Sequence, residues 1–540
     1  MRSRLGRATL LAAIVVSPRL ASSFFVDDDQ TLQILGRAYS QTAVRTESSS
    51  GLTFPRTPSG HVVQQRNLLE LEVAQRLDGL LPTRPAWLGD LAYRLRFKGV
   101  YEGLYDYGPE EYSEQVEVDP PSPFDPAESA VSRTVLRARI TRRILGHQDE
   151  IWNAYIQGSA GPLFLRVGRQ DLSWGETDGF RLLDMIEPLD NRFGLPLVED
   201  LDDRRIPLWM ARGILALPWS SRNFTNLTLE GFVVPAQIDD REAPIPPRGS
   251  PFAAPAGPSF FDRLVTRPGR AADDSRGGGR LIGTLFEDAT VTLAHYVTWN
   301  DNPATRVRIS RVDLVDDRPV PRAALDFVFY QQQITGATLT THVKPPIDVV
   351  LRSEVAMFWD ERVFDPTRAG SGQTPFQSLV ASAIADRVAG GRGEAAGGFT
   401  RRDVLRWVLG IDKLFWIRAL NPTNTFSLST QVFHTHIFDH DDAIRNGIVD
   451  PVTKDFVPRK QDEFTTTLLL STLLWRGRLQ PAVFAAYDPR GVIAAVPGIT
   501  WLVGSHVRLT AKYALVRGNF VNLGFFRDRD EVLGRFEVSL

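Results

Sequence analysis

Apolar and polar residues alternate along segments of about ten residues in this chain of 540 residues. In segment 91–98, two leucines, a tyrosine and a phenylalanine share one face of a predicted strand, while Arg94, Arg96 and Lys98 share the other. A packed apolar core does not tolerate several unpaired cations on one face, whereas a water-filled lumen does. The alternation therefore predicts strands with one face toward lipid and the other toward water.

About eighteen such segments follow residue 32, and their connections are alternately short and long. Every second connection of an up-and-down barrel lies on the same side, with short turns in the periplasm and long loops outside. We predict an all-β transmembrane antiparallel barrel of 16–18 strands over residues 24–540. A β-helix would show a fixed repeat, which is not visible. A sandwich would not interleave short turns with such long loops.

Residues 1–23 have the pattern of a secretory signal peptide. Arg2, Arg4 and Arg7 precede a short apolar run at 8–16, and we expect cleavage before Phe24. The run is shorter than the roughly 20 residues that a spanning helix needs. We therefore expect export, location in the bacterial outer membrane, and spans made of strands.

Composition excludes several classes of function. The net charge of −2 argues against a nucleic-acid partner. The absence of cysteine excludes disulfides and thiolate zinc sites. Standard catalytic motifs are missing, so we expect neither an enzyme nor a cofactor. The glycines at 277–279 lie in a segment rich in Arg and Asp, which predicts a flexible linker.

The connection 171–207 is dense in both Arg and Asp and too polar to face lipid. We predict that it folds into the barrel as a constriction loop, its shape held by Arg–Asp pairs. The alternative is a structured external loop without a role in permeation, with Trp174 and Trp209 in the interfacial belt. The candidate residues are Arg169, Trp174, Asp178, Arg181, Asp184, Asp190, Arg192, Asp202, Arg204 and Arg205.

Polar positions on the predicted strands supply a candidate lumen lining. Cations outnumber acids among them, which is expected to favour anionic or amphiphilic solutes. These candidates are Arg94, Arg96, Lys98, Arg166, Gln170, Asp348, Arg352, Glu354, Arg508, Lys512, Arg535 and Glu537.

A histidine-rich segment offers metal chemistry by residue type alone. His434 and His436 share a strand face, and His440 follows in a loop that also contains Asp439, Asp441 and Asp442. Such spacing at an exposed rim is weak evidence for a metal site, and we do not expect a metal there.

Segment 166–210 carries a recognisable pattern. It contains Gly168-Arg169-Gln170, Trp174-Gly175 and, near its end, Arg-Ile-Pro-Leu-Trp at 205–209. The pattern resembles the signature of an uncharacterised outer-membrane family, domain of unknown function 1302. Glu187 stands where that signature has Asn. The resemblance implies a secretory signal, a barrel, and traffic of lipid or hydrocarbon beside an inner-membrane efflux pump.

These observations together predict an outer-membrane channel or conduit for small anionic or amphiphilic and hydrophobic compounds. Outer-membrane lipid and lipopolysaccharide would surround it, and an inner-membrane pump or a periplasmic carrier would be its partner. One alternative is a loop-plugged barrel that displays loops 238–278 and 360–404 for recognition or adhesion. A second is a barrel hydrolase that uses His295 with a nearby Ser or Thr.

Overall fold

The computed structural model describes most of the chain after the predicted signal peptide. The described residues are 24–48, 57–78, 85, 87–109, 112, 150–192, 194–195, 197–246, 250–252, 262–286, 288–315, 318–365, 375–390, 398–450, 452–453 and 455–539. The predicted signal peptide, 1–23, lies outside the described residues.

Eighteen antiparallel strands close into a barrel, and each pairs with its neighbours in sequence. They are β1 (Leu32–Arg45), β2 (Val62–Arg76), β3 (Leu88–Glu102), β4 (Glu150–Ala160), β5 (Leu163–Gln170), β6 (Leu208–Ala216), β7 (Phe224–Val234), β8 (Arg276–Leu285), β9 (Ala289–Trp299), β10 (Gln331–Val343), β11 (Val349–Phe364), β12 (Phe399–Phe415), β13 (Phe426–Ile437), β14 (Asp462–Thr472), β15 (Leu479–Asp488), β16 (Val492–Val503), β17 (Val507–Gly518) and β18 (Glu531–Ser539). Ser539 of β18 pairs with Arg37 of β1, which closes the barrel. The predicted fold class is confirmed.

The connections divide the barrel into two rims. On the short-turn rim, β4 joins β5 through 161–162, and β16 joins β17 through 504–506. On the long-loop rim, β5 joins β6 through 171–207, and β11 joins β12 through 365–398. The turn 489–491 is the short member of the long-loop rim. The predicted interleaving of short and long connections is therefore confirmed.

The long connections contain small elements of their own. The described helices are α1 (Leu104–Tyr107), α2 (Leu201–Arg204) and α3 (Pro375–Val388), with 3-10 turns at Ala272–Asp274 and Asn522–Phe526. A three-stranded sheet joins Asp262–Thr266, Ala304–Val315 and Arg318–Val328. Short strands lie at Phe24–Phe25, Arg445–Val449 and Phe456–Pro458. No helix in the described part of the chain is long and apolar enough to cross a membrane.

Side chains alternate between the two faces of the wall as the sequence predicts. On β3, Leu95 and Phe97 point outward and are 43% and 41% exposed, while Lys98 points inward and is fully buried. Large apolar side chains at outward positions form a surface suited to lipid. Their polar neighbours line the interior.

The glycines at 277–279 are not a linker, and that prediction is wrong. They lie within β8 and pair with β7 and β9. A Cβ at Gly278 would overlap the Cβ of Tyr296 on β9. Glycine is therefore needed there because the inward face of β9 approaches the β8 backbone closely.

A charged side chain placed at an outward position tests which face of β3 points out of the barrel. We expect Leu95→Arg to lower the free energy of unfolding by about 2–4 kcal/mol, because the guanidinium would face lipid near the middle of β3. Ala92→Arg, at an inward position of the same strand, is the matched control and should change it little. The measurement is reversible denaturant unfolding in lipid vesicles. Equal losses in both variants would contradict the assignment.

Candidate functional site

The connection 171–207, called the lumen loop below, runs across the inside of the barrel. Near its start, Asp178 forms an ion pair of 2.5 Å with Arg352 of β11 and accepts a hydrogen bond of 2.9 Å from Ser429 of β13. Near its end, the carbonyl oxygen of Val198 accepts a hydrogen bond of 2.7 Å from the Nζ of Lys512 on β17. The loop therefore contacts wall strands from distant parts of the barrel.

An apolar cluster packs the first half of the lumen loop against the wall. Trp174 is 2% exposed and makes edge-to-face contacts with Phe232 at 5.2 Å and Tyr296 at 5.5 Å between ring centroids. Trp174 therefore lies inside the barrel and not in an interfacial belt. The other loop members of this cluster are Leu172, Leu182, Leu183 and Ile186, and its wall members come from strands between β6 and β13.

Polar wall side chains hold the main chain of the same half. Glu354 of β11 accepts hydrogen bonds from the backbone N–H groups of Glu176 and Leu183, the latter at 3.3 Å. Tyr296 donates to the carbonyl oxygen of Leu183 at 2.7 Å. These bonds satisfy backbone groups that would otherwise be buried without a partner.

Ion pairs within the lumen loop fix its shape. Arg205 pairs with Asp184 and, at 3.0 Å, with Glu187. Glu187 also accepts a hydrogen bond from the backbone N–H of Leu172. Burial raises the pKa of Glu187 well above its usual value and outweighs the opposing effect of Arg205. Glu187 therefore links the two ends of the loop.

The remaining predicted loop residues are also paired, but in part with other partners. Arg192 pairs with Asp190 at 2.6 Å. Arg181 pairs with Asp301, which lies in a different loop, and Arg204 donates to the side-chain oxygen of Asn191. Asp202 lies 3.7 Å from Arg205 and is largely exposed.

Carboxylates of the second half of the loop converge on Arg535 of β18. Asp200 accepts from Arg535 at 2.9 Å, and carboxylate oxygens of Glu199 and Asp203 lie 3.6 and 3.7 Å away. Arg37 of β1 also pairs with Asp203. Burial alone would raise the pKa of Asp203, but Arg37 and Arg535 outweigh it and lower that pKa. Asp203 is therefore held ionised against the wall.

The predicted cationic lining is largely neutralised in this way. Its cations are paired as follows: Arg94 with Glu72 at 3.2 Å, Arg96 with Asp171 at 3.4 Å, Arg352 with Asp178 at 2.5 Å, Arg508 with Glu537 at 3.3 Å, Lys512 with Asp200 at 3.4 Å, and Arg535 with Asp200 at 2.9 Å. Lys98 donates to the carbonyl oxygen of Asp203 at 2.8 Å. Several of these cations hold the lumen loop instead of facing an open path.

Arg166 differs from those cations. It donates to Gln157 at 3.0 Å and lies over the ring of Tyr155 at 4.4 Å. It stands directly opposite Arg212 in the ladder between β5 and β6. Among the contacts of Arg166 with described residues, none is an ion pair with a carboxylate. Arg166 is therefore the predicted lining cation best placed to attract an anion.

Three predicted residues lie elsewhere than expected. Asp348 lies in the exposed turn 344–348, where it contacts His342 at 2.9 Å, and not on a strand. Gln170 is completely buried and donates to the Met210 carbonyl oxygen at 3.1 Å. Arg169 belongs to β5 and donates to the carbonyl oxygens of Ile151 and Pro207. Gln170 and Arg169 thus bind backbone carbonyl oxygens at the end of β5, where the lumen loop begins.

Sequence reasoning missed other residues that hold the loop. Glu199 accepts from Gln41 of β1 at 2.6 Å, and Asp178 donates its backbone N–H to Gln431 of β13 at 3.0 Å. Glu176 accepts from Thr340 of β10. The acids could have been found, because they lie within the predicted loop. The wall glutamines and threonine resemble many other polar strand positions and gave no signal.

The shifted pKa of Glu187 predicts a pH dependence. A carboxyl group whose pKa is raised by folding stabilises the fold below its usual pKa of 4.5, and this contribution is lost as pH rises through the raised value. We expect proteolysis within 171–207 to become faster with rising pH in the wild type and to depend less on pH in Glu187→Gln. The measurement is the cleavage rate of the detergent-solubilised barrel.

Asp190→Asn is the control, because folding lowers the pKa of Asp190, whereas it raises the pKa of Glu187. Burial would raise the pKa of Asp190, but Arg192 outweighs burial and lowers it. Asp190→Asn should therefore alter the pH dependence of stability only at acid pH, where the wild type loses the contribution of the ionised Asp190. An identical alkaline response of the wild type and Glu187→Gln would contradict the role of Glu187.

Comparison with known proteins gives a family and a distant structural likeness. The model of the family described as "Protein of unknown function (DUF1302)" matches residues 4–540. No curated protein matches. Three solved structures are similar: Acinetobacter baumannii OccAB1 (9% identity, TM-score 0.45, covering 97% of this chain and 99% of that one), Pseudomonas aeruginosa OccK9 (OpdG) (11%, 0.43, 96% and 98%) and Salmonella typhi OmpF in complex with daunomycin (8%, 0.37, 94% and 97%). Likeness at this level says nothing about what the present barrel carries. The family match extends over nearly the whole chain, and the protein therefore belongs to the DUF1302 family.

Proposed function

We propose that this protein is a bacterial outer-membrane channel whose passage is shaped by the lumen loop. One observation carries the proposal: the loop crosses the lumen and is held on different wall strands by ion pairs and hydrogen bonds of side chains. Arg352 of β11 holds its start, and Arg535 of β18 holds its end. The strand ladder of the barrel does not depend on these contacts. The loop can therefore narrow the lumen without being part of the wall.

The proposed solutes are small anionic or amphiphilic compounds. Arg166 supports this because its charge is not neutralised by a carboxylate among the described residues. The rings of Tyr155 and Phe164 lie 4.4 and 5.7 Å from its guanidinium group. A cation beside aromatic rings suits a solute with an anionic group and an apolar body. Cooperation with an inner-membrane pump or a periplasmic carrier is proposed only from the family resemblance.

A loop-plugged recognition barrel is the second candidate, and one observation favours it. A second apolar cluster packs Leu195 and Val198 of the loop against Val496 of β16, Ala514 of β17 and Leu533 of β18. Together with the cluster around Trp174, it puts apolar contacts on both halves of the loop. Such packing suits a plug as well as a constriction. Solute flux distinguishes the two functions.

The hydrolase alternative gains no support from His295. The Nδ1 atom of His295 lies 2.8 Å from the hydroxyl of Thr335, and Trp359 donates to the same hydroxyl at 2.9 Å. These side chains lie at outward positions of β9, β10 and β11. The hydroxyl thus belongs to the outer surface of the wall.

Release of the loop tests the channel. We expect the double variant Arg352→Met and Arg535→Met to raise single-channel conductance about twofold or more, because both ends of the loop lose a wall cation. Arg535→Met also removes one of the cations that face the buried carboxylates of Glu199 and Asp203. Arg94→Met removes a pair between two wall strands and is the matched control. The measurement is planar-bilayer recording of the refolded full chain.

The outcomes separate the two candidate functions. A wild type that conducts, with unchanged conductance in Arg94→Met and a larger one in the double variant, supports the constricted channel. A closed wild type that conducts only in the double variant supports the plugged barrel. Absence of conductance in all refolded proteins would overturn the channel.

The charge of Arg166 is tested by ion selectivity. We expect Arg166→Gln to lower the ratio of chloride to potassium permeability about twofold, because a lumen cation without a carboxylate partner is removed. Lys413→Gln removes an equal charge at an outward position of β12 and should leave the ratio unchanged. The measurement is the reversal potential in a potassium chloride gradient. Equal effects of both substitutions would show that Arg166 does not line the path.

A further inference from the structure

Two histidines and one aspartate converge on the outer surface of the barrel. His434 and His436 are two residues apart on β13. Phe433, which directly precedes His434, packs inward on Phe180 of the lumen loop. The two imidazoles therefore point outward on the same face of the strand. Asp462, the first residue of β14, stands opposite His436 in the ladder. The three side chains lie at the long-loop rim.

The ligand atoms of this cluster are close together. The Nε2 atom of His434 and the Nδ1 atom of His436 each lie 2.8 Å from the same oxygen of Asp462. One ligand atom from each residue lies within 4.8 Å of the other two. In a tetrahedral zinc site, bonds of about 2.0–2.2 Å separate the ligand atoms by about 3.3 Å. Small side-chain movements would therefore place an ion between them.

Aromatic neighbours hold the imidazoles in this arrangement. The ring of His434 lies 4.4 Å from that of Phe464 and 5.2 Å from that of Trp407. The ring of His436 meets the ring of Phe438 edge-on at 4.8 Å. The backbone pairing of β13 with β14 places Asp462. A preorganised ligand set loses less conformational entropy when it binds an ion.

We propose that His434, His436 and Asp462 bind a divalent transition-metal ion such as Zn²⁺. Two imidazoles and a carboxylate are ligands typical of zinc, whereas magnesium prefers oxygen ligands alone. Three protein ligands leave a position for water. The bound ion would join β13 to β14 from outside, in addition to their backbone ladder. This site is separate from the lumen loop, so it does not depend on the proposed transport function.

The spacing in sequence suggested a different ligand set. His440 instead contacts the carbonyl oxygen of Arg459 at 2.9 Å. Asp441 pairs with Arg402 at 3.1 Å. The third ligand, Asp462, comes from the next barrel strand.

Zinc titration of the full chain tests the site. The protein is refolded in detergent without an affinity tag, treated with a chelator, and titrated with Zn²⁺ by calorimetry. We expect one Zn²⁺ per chain in the wild type and no comparable binding of Mg²⁺. The double variant His434→Asn and His436→Asn should bind Zn²⁺ at least about tenfold more weakly, as should Asp462→Asn.

His342→Asn is the matched control, because His342 also pairs with an aspartate, Asp348, at 2.9 Å but without a second histidine. It should leave the affinity unchanged. Zn²⁺ should also raise the unfolding temperature of the wild type and of His342→Asn, but not of the double variant. Folding of each variant is checked first by circular dichroism.

Three results would overturn the site. They are absence of stoichiometric Zn²⁺ binding by the folded wild type, unchanged binding in both the double variant and Asp462→Asn, and an equal loss in His342→Asn. If the double variant fails to fold, Asp462→Asn decides, because it keeps both imidazoles and their ring contacts.

Discussion

Charge neutralisation between the barrel wall and the lumen loop is the constraint on which the interior depends. A guanidinium or carboxylate buried without a partner is strongly unfavourable. Arg535 alone faces Asp200, Glu199 and Asp203. Arg352 likewise faces Asp178 at the start of the loop. The position of the loop is therefore set by the wall charges that it neutralises.

This arrangement changes what the cations do. A row of Arg and Lys along a strand suggests a path for anions, but here most of these side chains hold the protein's own carboxylates. Buried ion pairs add little net stability compared with apolar packing, and their value lies in specifying one geometry. The two apolar clusters supply the packing, while the ion pairs determine where each half of the loop lies. Arg166 differs from the paired cations, because its contacts with described residues are with Gln157 and aromatic rings and not with a carboxylate.

The outer surface of the barrel is not governed by the charge pairing of the interior. Outward side chains such as Leu95 and Phe97 are apolar and exposed, so polar clusters among them stand out. His434, His436 and Asp462 form one such cluster at the long-loop rim. Its two histidines lie on β13, whose inward face contacts the lumen loop through Ser429 and Gln431. This strand thus contacts the loop on one face and carries candidate metal ligands on the other.

The sequence by itself determined the alternation, the closed barrel, the two rims and the polar loop, because each is a local pattern with a period of two residues or a contrast in loop length. It did not determine the pairing of charges, because the partners are far apart along the chain: Asp200 and Arg535 are 335 residues apart. The role of the glycines at 277–279, the turn position of Asp348 and the choice of Asp462 over His440 were likewise decided by tertiary structure. Only barrel closure specifies which strands face each other across the lumen and which side chains become neighbours.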